Sequence, residues 1–363
     1  MSRAIPHSRP LLGEEEEQAA LRVLRSGQLA QGPEVAALET EARAFLGTRH
    51  AVALAHGTAA LHLGLVALGA RPGTTVLVPS YGCTSLANAV HLCGATPLLV
   101  DCAPDLPDMD LEAALARVRP DTVAALVPQL FGRPPGQGGR PPALQALEEA
   151  VPVLSDGTHA VGATAGRRPA ARMGRACAFS FYATKMLAGG EGGLLVTDRT
   201  GIANLARDLR SYDERPDWRP RFNYKMTEVA AAVLRVQFRR LPEFLARRRE
   251  LAARYRAELG GILELPPPVP GEVPYRFAGR VPARRLEPLI RALRDRGIGA
   301  ARPVFRPLHR YFGLPAREFP EAEKTWRTTL SLPLYPALTD EEAERVIRAV
   351  REELAAVRSE VPR

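Results

Sequence analysis

Short apolar runs alternate with helical stretches between residues 51 and 200, and this alternation constrains the fold more than any other feature. Most runs hold about four to eight apolar residues between Gly, Pro or Asp, as is typical of strands buried on both faces. They occur at 51–55, 74–80, 95–102, 122–131, 151–156, 176–182 and 192–197. Because amphipathic helical patterns separate them, the sequence predicts a largely parallel, helix-covered α/β sheet.

The segments on either side of these runs suggest further helices and a second unit. Residues 14–46 predict two short helices, each ending at a Gly. Residues 227–260 form a long helical pattern in which Pro242 predicts a kink or a break. A Pro-rich stretch at 265–274 marks a linker or domain edge, and the last ~90 residues form a small α/β pattern. We therefore expect a large domain over residues 1–245, with the N-terminal helices included, and a small C-terminal domain over residues 246–363.

Composition excludes several classes of protein. No apolar run approaches the ~18 residues of a membrane span, and the N-terminus has no hydrophobic signal core. The net charge of +9 is spread along the chain, without a nucleic-acid-binding motif. The four cysteines form no CxxC pair, so a metal site is not expected. The sequence predicts a cytoplasmic enzyme that binds neither nucleic acid nor membranes.

Lysine is scarce in this chain. Only Lys185, Lys225 and Lys324 stand among 49 basic residues, and all the others are Arg. Arg cannot lose its proton or form a Schiff base, whereas Lys can do both. Each lysine is therefore a candidate for chemistry, and Lys185 is the strongest because it follows a predicted strand.

A candidate phosphate site follows the first predicted strand, where Gly57, Thr58 and Ala59 open a helix. Gly57 permits close approach of the backbone, Thr58 can cap the helix, and the free N–H groups can hold a phosphate. An ordinary Thr cap accounts for the same segment.

Two more strand ends carry reactive side chains. Asp156 ends the fifth run, and a carboxylate there needs a cation or hydrogen-bond donors, although a turn cap is the plainer explanation. Lys185 follows the sixth run, close to Ser180 and a Gly-rich stretch at 189–193, although a lone lysine there is usually solvated. A phosphate site, an Asp and a Lys at three strand ends match the three groups that hold pyridoxal phosphate.

At this point the sequence resembles the DegT/DnrJ/StrS sugar aminotransferases, which have the aspartate-aminotransferase type I fold. The lysine segment FSFYATKMLAGGEGG (179–193) carries the resemblance. It extends over nearly the whole chain, through LRSGQLAQGPEVAALE (24–39), AVALAHGTAALHLGL (51–65), VLVPSYGCTSLANAV (76–90), FNYKMTEVAAAVLRVQ (222–237) and SLPLYPALTDEE (331–342). It implies a seven-stranded, mostly parallel sheet with helices on both faces, a smaller C-terminal domain, pyridoxal phosphate, and a homodimer with its active site at the subunit interface.

The resemblance also implies roles for individual residues. Lys185 would form the internal aldimine and move the proton between Cα and the cofactor, and Asp156 would keep the pyridine nitrogen protonated. Thr58, Ala59 and Ser180 would bind the phosphate, together with Asn223 of the other subunit. His159 stands where the family has a Gln that contacts the ring hydroxyl.

Three positions depart from the family pattern, and we expect all three near the pocket. Cys83 stands where an aromatic residue usually covers the cofactor ring, a role in which Tyr81 could compensate. Gln129 replaces a common His, and Lys225 replaces the usual Arg. A further candidate, His309, lies in a segment that resembles one near the family's active site.

The implied reaction moves an amino group from glutamate or glutamine to a nucleotide-linked keto-sugar or a keto-cyclitol, through pyridoxamine phosphate. Two alternatives stay open. One is elimination or dehydration with the same cofactor, which Lys185 disfavours because dehydratase relatives carry His at that position. The other is a non-catalytic regulator, which has only the excess of positive charge in its favour.

Overall fold

The computed structural model describes residues 4–135 and 141–356 of the chain. The segment RPPGQGGRPP (133–142), whose Pro and Gly content predicts an exposed loop, lies partly outside the described residues. The helices are α1 (Glu14–Ser26), α2 (Pro33–Leu46), α3 (Gly57–Ala67), α4 (Thr84–Leu92), α5 (Leu111–Ala116), α6 (Pro142–Ala150), α7 (Thr200–Leu209), α8 (Glu228–Leu259), α9 (Ala283–Asp295), α10 (Leu308–Tyr311), α11 (Pro320–Thr328) and α12 (Asp340–Ala356). The strands are β1 (His50–Leu54), β2 (Thr75–Pro79), β3 (Thr96–Val100), β4 (Thr122–Pro128), β5 (Val153–Asp156), β6 (Thr164–Ala165), β7 (Arg168–Pro169), β8 (Ala176–Ser180), β9 (Gly193–Thr197), β10 (Phe277–Arg280) and β11 (Thr329–Leu332).

Each of the seven predicted apolar runs contains one strand of a single sheet, in the order β1-β9-β8-β5-β4-β2-β3. Strand β9 runs antiparallel to both of its neighbours, and the other pairs are parallel. Six strands therefore point the same way, and their carboxyl ends lie at one edge of the sheet. The predicted α/β fold with a mostly parallel seven-stranded sheet is confirmed.

Helices cover both faces of this sheet because its side chains alternate between two cores. Leu126 and Leu154 pack in one core with α3, α4 and α7, whereas Ala125 and Val153 pack in another with α5 and α6. A third core joins the second face to α2 and α8. Helices α1 and α2 are the two short helices that residues 14–46 predict. Both end at a Gly with positive φ, Gly27 and Gly47, as expected.

The C-terminal residues build a smaller unit. Strands β10 and β11 pair antiparallel, and α9 and α12 pack with them around one core. The segment GIGAARPV (297–304), whose composition suggests a possible strand, makes only isolated bridges among the described residues, one of them between Ile298 and Ile5. Ile5 thereby lies in the core of the C-terminal unit.

Helix α8 shows no break at Pro242, one of the two outcomes expected there, and a kink stays a prediction. It runs without a break from Glu228 to Leu259, and so crosses the expected domain boundary at 245/246. Leu241 and Phe244, on either side of the proline, are almost completely buried against α1, α2 and the sheet. Tertiary packing therefore outweighs the local preference of the proline to end the helix. The division into domains 1–245 and 246–363 stays a prediction.

Candidate active site

The polar residues singled out in the sequence lie at the carboxyl edge of the sheet. His56 follows β1, Cys83 follows β2, Asp156 ends β5 and Ser180 ends β8. A cavity of about 630 Å³ opens there, lined by these residues and by Lys185. In open parallel sheets, ligands bind at this edge, so the topology places the predicted site residues around one cavity.

Lys185 lies in a tight turn between β8 and β9. Its backbone N–H donates to Tyr182 O at 2.8 Å, and the preceding carbonyl, of Thr184, accepts from the Tyr275 hydroxyl at 3.2 Å. The Lys185 Nζ lies 3.3 Å from His159 Nε2 and 5.7 Å from the centre of the Tyr275 ring. Of the three lysines, Lys225 is paired with Asp213 and Lys324 with Asp105. Among the described residues, no carboxylate pairs with Lys185, so its amine is available to a ligand.

His159 is fixed between aromatic rings. It stacks on Tyr275 at 4.0 Å with an angle of 15° between the rings. Its Nδ1 accepts a 3.4 Å hydrogen bond from the Phe131 N–H, which leaves the proton of the neutral ring on Nε2. Burial, with help from Lys185 and Arg276, holds the pKa of His159 well below its ordinary value. The ring is therefore neutral and presents an N–H donor to the cavity.

Asp156 is a half-buried carboxylate, and among the described residues no cation lies at ion-pair distance from it. Its Oδ1 accepts one hydrogen bond, from the Thr158 N–H at 3.0 Å. Burial raises the pKa of Asp156, although the Thr158 hydrogen bonds and the charge of Lys185 oppose this. A cationic ligand group next to Asp156 would compensate the negative charge of its carboxylate and favour the ionised form.

The start of α3 lies against Ser180, as expected for a phosphate site. A Cβ on Gly57 would lie 2.5 Å from the Ser180 Cβ, so only Gly allows this approach. Gly57, Thr58 and Ser180 line the cavity, whereas Ala59 is fully buried. The proposed Thr58 cap is wrong, because His56 is the cap and its Nδ1 accepts from the Ala59 N–H at 3.0 Å. The first two N–H groups of the helix still lie at the cavity.

The positions that depart from the family pattern do not all lie at the cavity. Cys83 lines it, but Tyr81 is fully buried elsewhere and cannot replace an aromatic cover. Gln129 is also buried, and its amide donates to Ser155 Oγ at 2.8 Å and Ala170 O at 3.0 Å. Lys225 pairs with Asp213 and does not line the cavity of its own chain. Gln129 therefore lies beside the cavity, between the lining residues Pro128 and Leu130, without lining it, and a place for Lys225 near a pocket stays a prediction.

Two other candidates lie outside the cavity as well. Asn223 is exposed, as a residue acting on another subunit would be, but nothing places it there. His309 is completely buried and does not face the pocket. Its Nδ1 lies 2.6 Å from Ser80 Oγ, and its Nε2 lies 2.9 Å from Glu323 Oε1. His309 therefore ties the C-terminal unit to the end of β2.

The structure also adds residues that sequence reasoning missed. Tyr275 and Arg276 line the cavity, and Arg276 is held by His7 from the N-terminal segment. These residues follow the Pro-rich linker or precede the first helix, so no strand-end signal identifies them. The aromatic and basic pair directly before β10 is the only local hint in the sequence.

Among residues 4–135 and 141–356, no group of three or more His, Cys, Asp or Glu side chains could hold a metal ion. Within the same ranges, no helix has the length and apolar character to cross a membrane.

The cavity fits pyridoxal phosphate on three independent counts. The N–H groups of α3 and Ser180 form a phosphate site that a Cβ on Gly57 would fill. Asp156 is a half-buried anion that can compensate a protonated ring nitrogen. Lys185 is an amine without a carboxylate partner among the described residues, and His159 presents a donor next to it.

Comparison with known proteins defines the class. In fold, the chain is similar to an aminotransferase, TlmJ from Streptoalloteichus hindustanus, with a TM-score of 0.90 and 33% identity over 98% of this chain and 100% of that one. It is also similar to DesV of S. venezuelae, solved in complex with a ketimine intermediate, with a TM-score of 0.89 and 34% identity over 97% and 99% of the two chains. The protein is an aminotransferase with the fold of the pyridoxal-phosphate-dependent enzymes.

The family follows from the sequence match. The model of the DegT/DnrJ/EryC1/StrS aminotransferase family matches residues 10–351. The spore coat polysaccharide biosynthesis protein SpsC of Bacillus subtilis is 36% identical over 383 aligned residues, which cover 96% of each protein. The chain belongs to the DegT/DnrJ/EryC1/StrS aminotransferase family, so the resemblance noted in the sequence is confirmed.

Proposed function

We propose that this protein is a pyridoxal-phosphate-dependent aminotransferase that moves an amino group from glutamate or glutamine to a keto-sugar linked to a nucleotide, or to a keto-cyclitol. The observation that carries the proposal is Lys185, whose amine faces the cavity without a carboxylate partner among the described residues, on the same sheet edge as Asp156 and the start of α3. The description of SpsC as a polysaccharide biosynthesis protein supports a sugar as the acceptor.

Pyridoxal phosphate supplies an aldehyde carbon that bonds to amino groups and a protonated ring that withdraws electrons from the substrate Cα. The chain supplies the rest of the site. The N–H groups of Gly57 and Thr58, with Ser180, bind the phosphate. Asp156 holds the proton on the ring nitrogen, and His159 donates from Nε2 to the ring oxygen.

Lys185 has the acid–base role. In the donor half of the cycle its Nζ would take the proton from the donor Cα and deliver it to the neighbouring carbon of the cofactor, and in the acceptor half it would move a proton in the reverse direction, from that carbon to the acceptor. The turn that carries it is held by the Tyr275 hydroxyl and the Tyr182 carbonyl, so the amine stays directed into the cavity. A homodimer with a shared active site and a cytoplasmic location remain predictions.

An absorption spectrum tests the proposal. The purified protein is mixed with pyridoxal phosphate and scanned before and after glutamate or glutamine is added, beside Lys185→Ala. Lys324→Ala is the matched control, because Lys324 is exposed and pairs with Asp105.

We expect a visible band in the wild type and in the control, bleached by an effective donor, and no such band in Lys185→Ala. A wild type that takes up no cofactor would contradict the proposal. A band that neither donor changes would leave the cofactor in place and exclude these donors.

A further inference from the structure

The active-site cavity contains a guanidinium that the proposed chemistry does not use. Arg276 immediately precedes β10, is partly buried, and lines the same cavity as Lys185. Both charged groups lie over the ring of Tyr275, with Arg276 Cζ at 4.7 Å and Lys185 Nζ at 5.7 Å from its centre. The guanidinium therefore borders the space in which a substrate attached near Lys185 would lie.

The partners of Arg276 hold it without neutralising its charge. Its Nη1 lies 3.2 Å from His7 Nδ1, and its Nη2 donates to the Tyr275 hydroxyl at 3.2 Å. The other nitrogen of His7 bonds to Ser331 Oγ at 2.9 Å. Burial, followed by the charge of Arg276, lowers the pKa of His7 to about 3, so the imidazole is uncharged at working pH.

Several other arginines of the chain pair with carboxylates. Arg310 pairs with Glu323, Arg302 with Glu287 and Arg280 with Glu264. Within residues 4–135 and 141–356, no carboxylate lies at ion-pair distance from Arg276. A guanidinium has five N–H donors in a planar fork. Nη1 also donates to His7 O at 3.4 Å, so the Nε N–H and one N–H of Nη2 have no partner among the described residues. A partly buried positive charge of this kind favours a bound anion.

We propose that Arg276 binds an oxyanion of the substrate, either a carboxylate of the amino donor or a phosphate of the acceptor, and that His7 and Tyr275 orient its guanidinium. This rests on the proposed function, because the cavity is taken to be the substrate site. Carboxylate and phosphate share the planar arrangement of acceptors that an Arg fork binds with two hydrogen bonds.

The test uses two unreactive probes, glutarate for the donor carboxylates and uridine diphosphate for the acceptor phosphates. Their affinities are measured by calorimetry on wild type, Arg276→Gln and Arg276→Lys, with and without pyridoxal phosphate. The control is Arg249→Gln, which removes the same charge from an exposed position of α8 outside the cavity.

We expect Arg276→Gln to weaken one probe about tenfold or more, with pyridoxal phosphate affinity unchanged and Arg249→Gln without effect. Loss for glutarate assigns the site to the donor, and loss for uridine diphosphate assigns it to the acceptor. Arg276→Lys keeps the positive charge without the planar fork, so its affinity for that probe should fall less than that of Arg276→Gln. If Arg276→Gln does not fold, the affinities of Arg276→Lys still test the proposal.

Three results would overturn the proposal: equal affinities in wild type and both Arg276 variants, no binding of either probe to the wild type, or an equal loss in Arg249→Gln. Failure of the proposed function is seen separately. It appears as a wild type that forms no absorption band with pyridoxal phosphate, and the titrations of the cofactor-free protein still report on Arg276.

Discussion

At the scale of single residues, Asp156 shows a conflict between function and stability. The carboxylate is half-buried at the end of β5 with one backbone donor, and burial raises its pKa. A carboxyl whose pKa is higher in the folded than in the unfolded protein destabilises the fold once the pH exceeds its ordinary value of 3.8. The cofactor-free protein therefore loses stability as pH rises through the titration of Asp156.

Asp156→Asn removes the loss of stability that accompanies ionisation of Asp156. Its amide oxygen can still accept the hydrogen bond from the Thr158 N–H. We expect the cofactor-free variant to melt at a higher temperature than the wild type at pH 7, with the two converging below pH 3.8, and to bind pyridoxal phosphate at least about tenfold more weakly. Thermal melts across pH and a cofactor titration measure both effects. Asp121→Asn, at an exposed position, is the control. A lower melting temperature at pH 7 would contradict the account.

Gly57 allows a second test at this scale. A Cβ there would lie 2.5 Å from the Ser180 Cβ and 3.1 Å from its Cα, so backbone must move to admit it. We expect Gly57→Ala to destabilise the protein by about 1–3 kcal/mol and to weaken cofactor binding. Gly201→Ala is the matched control, since it also lies in the first turn of a helix but has nothing within 4 Å of the added Cβ. That variant should be as stable as wild type or about 0.5 kcal/mol more stable. Chemical denaturation distinguishes the two, and equal effects would disprove the close-approach argument.

The residues that sequence reasoning identified share one property. Gly57, Asp156, Ser180 and Lys185 directly follow strands whose apolar runs are visible in the sequence, and parallel strands bring their ends together. His7 and Arg276 lie 269 positions apart along the chain and meet only through tertiary packing. No local pattern could pair them.

At the scale of elements, a buried network of hydrogen-bonded polar side chains joins the C-terminal unit to the large sheet. Ser80 follows β2, His309 lies on α10 and Glu323 lies on α11. Glu323 also pairs with Arg310 and Arg327. Residues 303–306 and Tyr311, next to this chain of contacts, line the active-site cavity. The contacts therefore fix one wall of the cavity.

Glu323→Gln tests this connection. Burial opposes ionisation of Glu323, but hydrogen bonds and charge from Arg310, His309 and Arg327 prevail and lower its pKa to about 2. Its contribution to stability is present above the ordinary value of 4.5 and is lost as pH falls to about 2.

We expect the free energy of unfolding of Glu323→Gln to be about 2–3 kcal/mol lower than that of the wild type at pH 7 and nearly equal to it near pH 2. Denaturant unfolding across pH measures this difference. Glu318→Gln, a nearby exposed position without a resolved contact, should follow the wild type. A loss that does not depend on pH would show that packing, rather than charge, accounts for the effect.

Element prediction failed where packing outweighs local preference. The seven strands were predictable because buried strands need continuous apolar runs. A break of α8 at Pro242 is one of the two expected outcomes, yet burial of its neighbours keeps the helix continuous. The cap of α3 was assigned to Thr58, whereas His56 performs it, because an imidazole nitrogen can accept as a hydroxyl does.

At the scale of the whole molecule, the N-terminal segment packs against the C-terminal unit. Ile5 bridges to Ile298 and packs in the C-terminal core, and His7 reaches Arg276 at the cavity. The N-terminal residues were assigned to the large domain from sequence order alone. Their packing partners could not be inferred, since short segments before the first helix carry no periodic pattern.

Asn223 provides a test of a shared active site. It is exposed and absent from the cavity of its own chain, although a role in binding phosphate is expected of it. If it acts on a partner subunit, mixing inactive Lys185→Ala with inactive Asn223→Asp subunits creates one intact site in each mixed dimer. We expect about a quarter of wild-type activity after subunit exchange. No recovery, with exchange confirmed by mass, would place Asn223 in its own site or in none.

The measurement that tests the central claim most directly is the location of the bound cofactor. The protein is loaded with pyridoxal phosphate and reduced with borohydride, which makes a bond between the cofactor and a lysine permanent, and its peptides are mapped by mass. With only three lysines in the chain, the assignment is unambiguous. The account predicts the label on Lys185 alone, lost when glutamate is added first. A label on Lys225 or Lys324, or none at all, would contradict it.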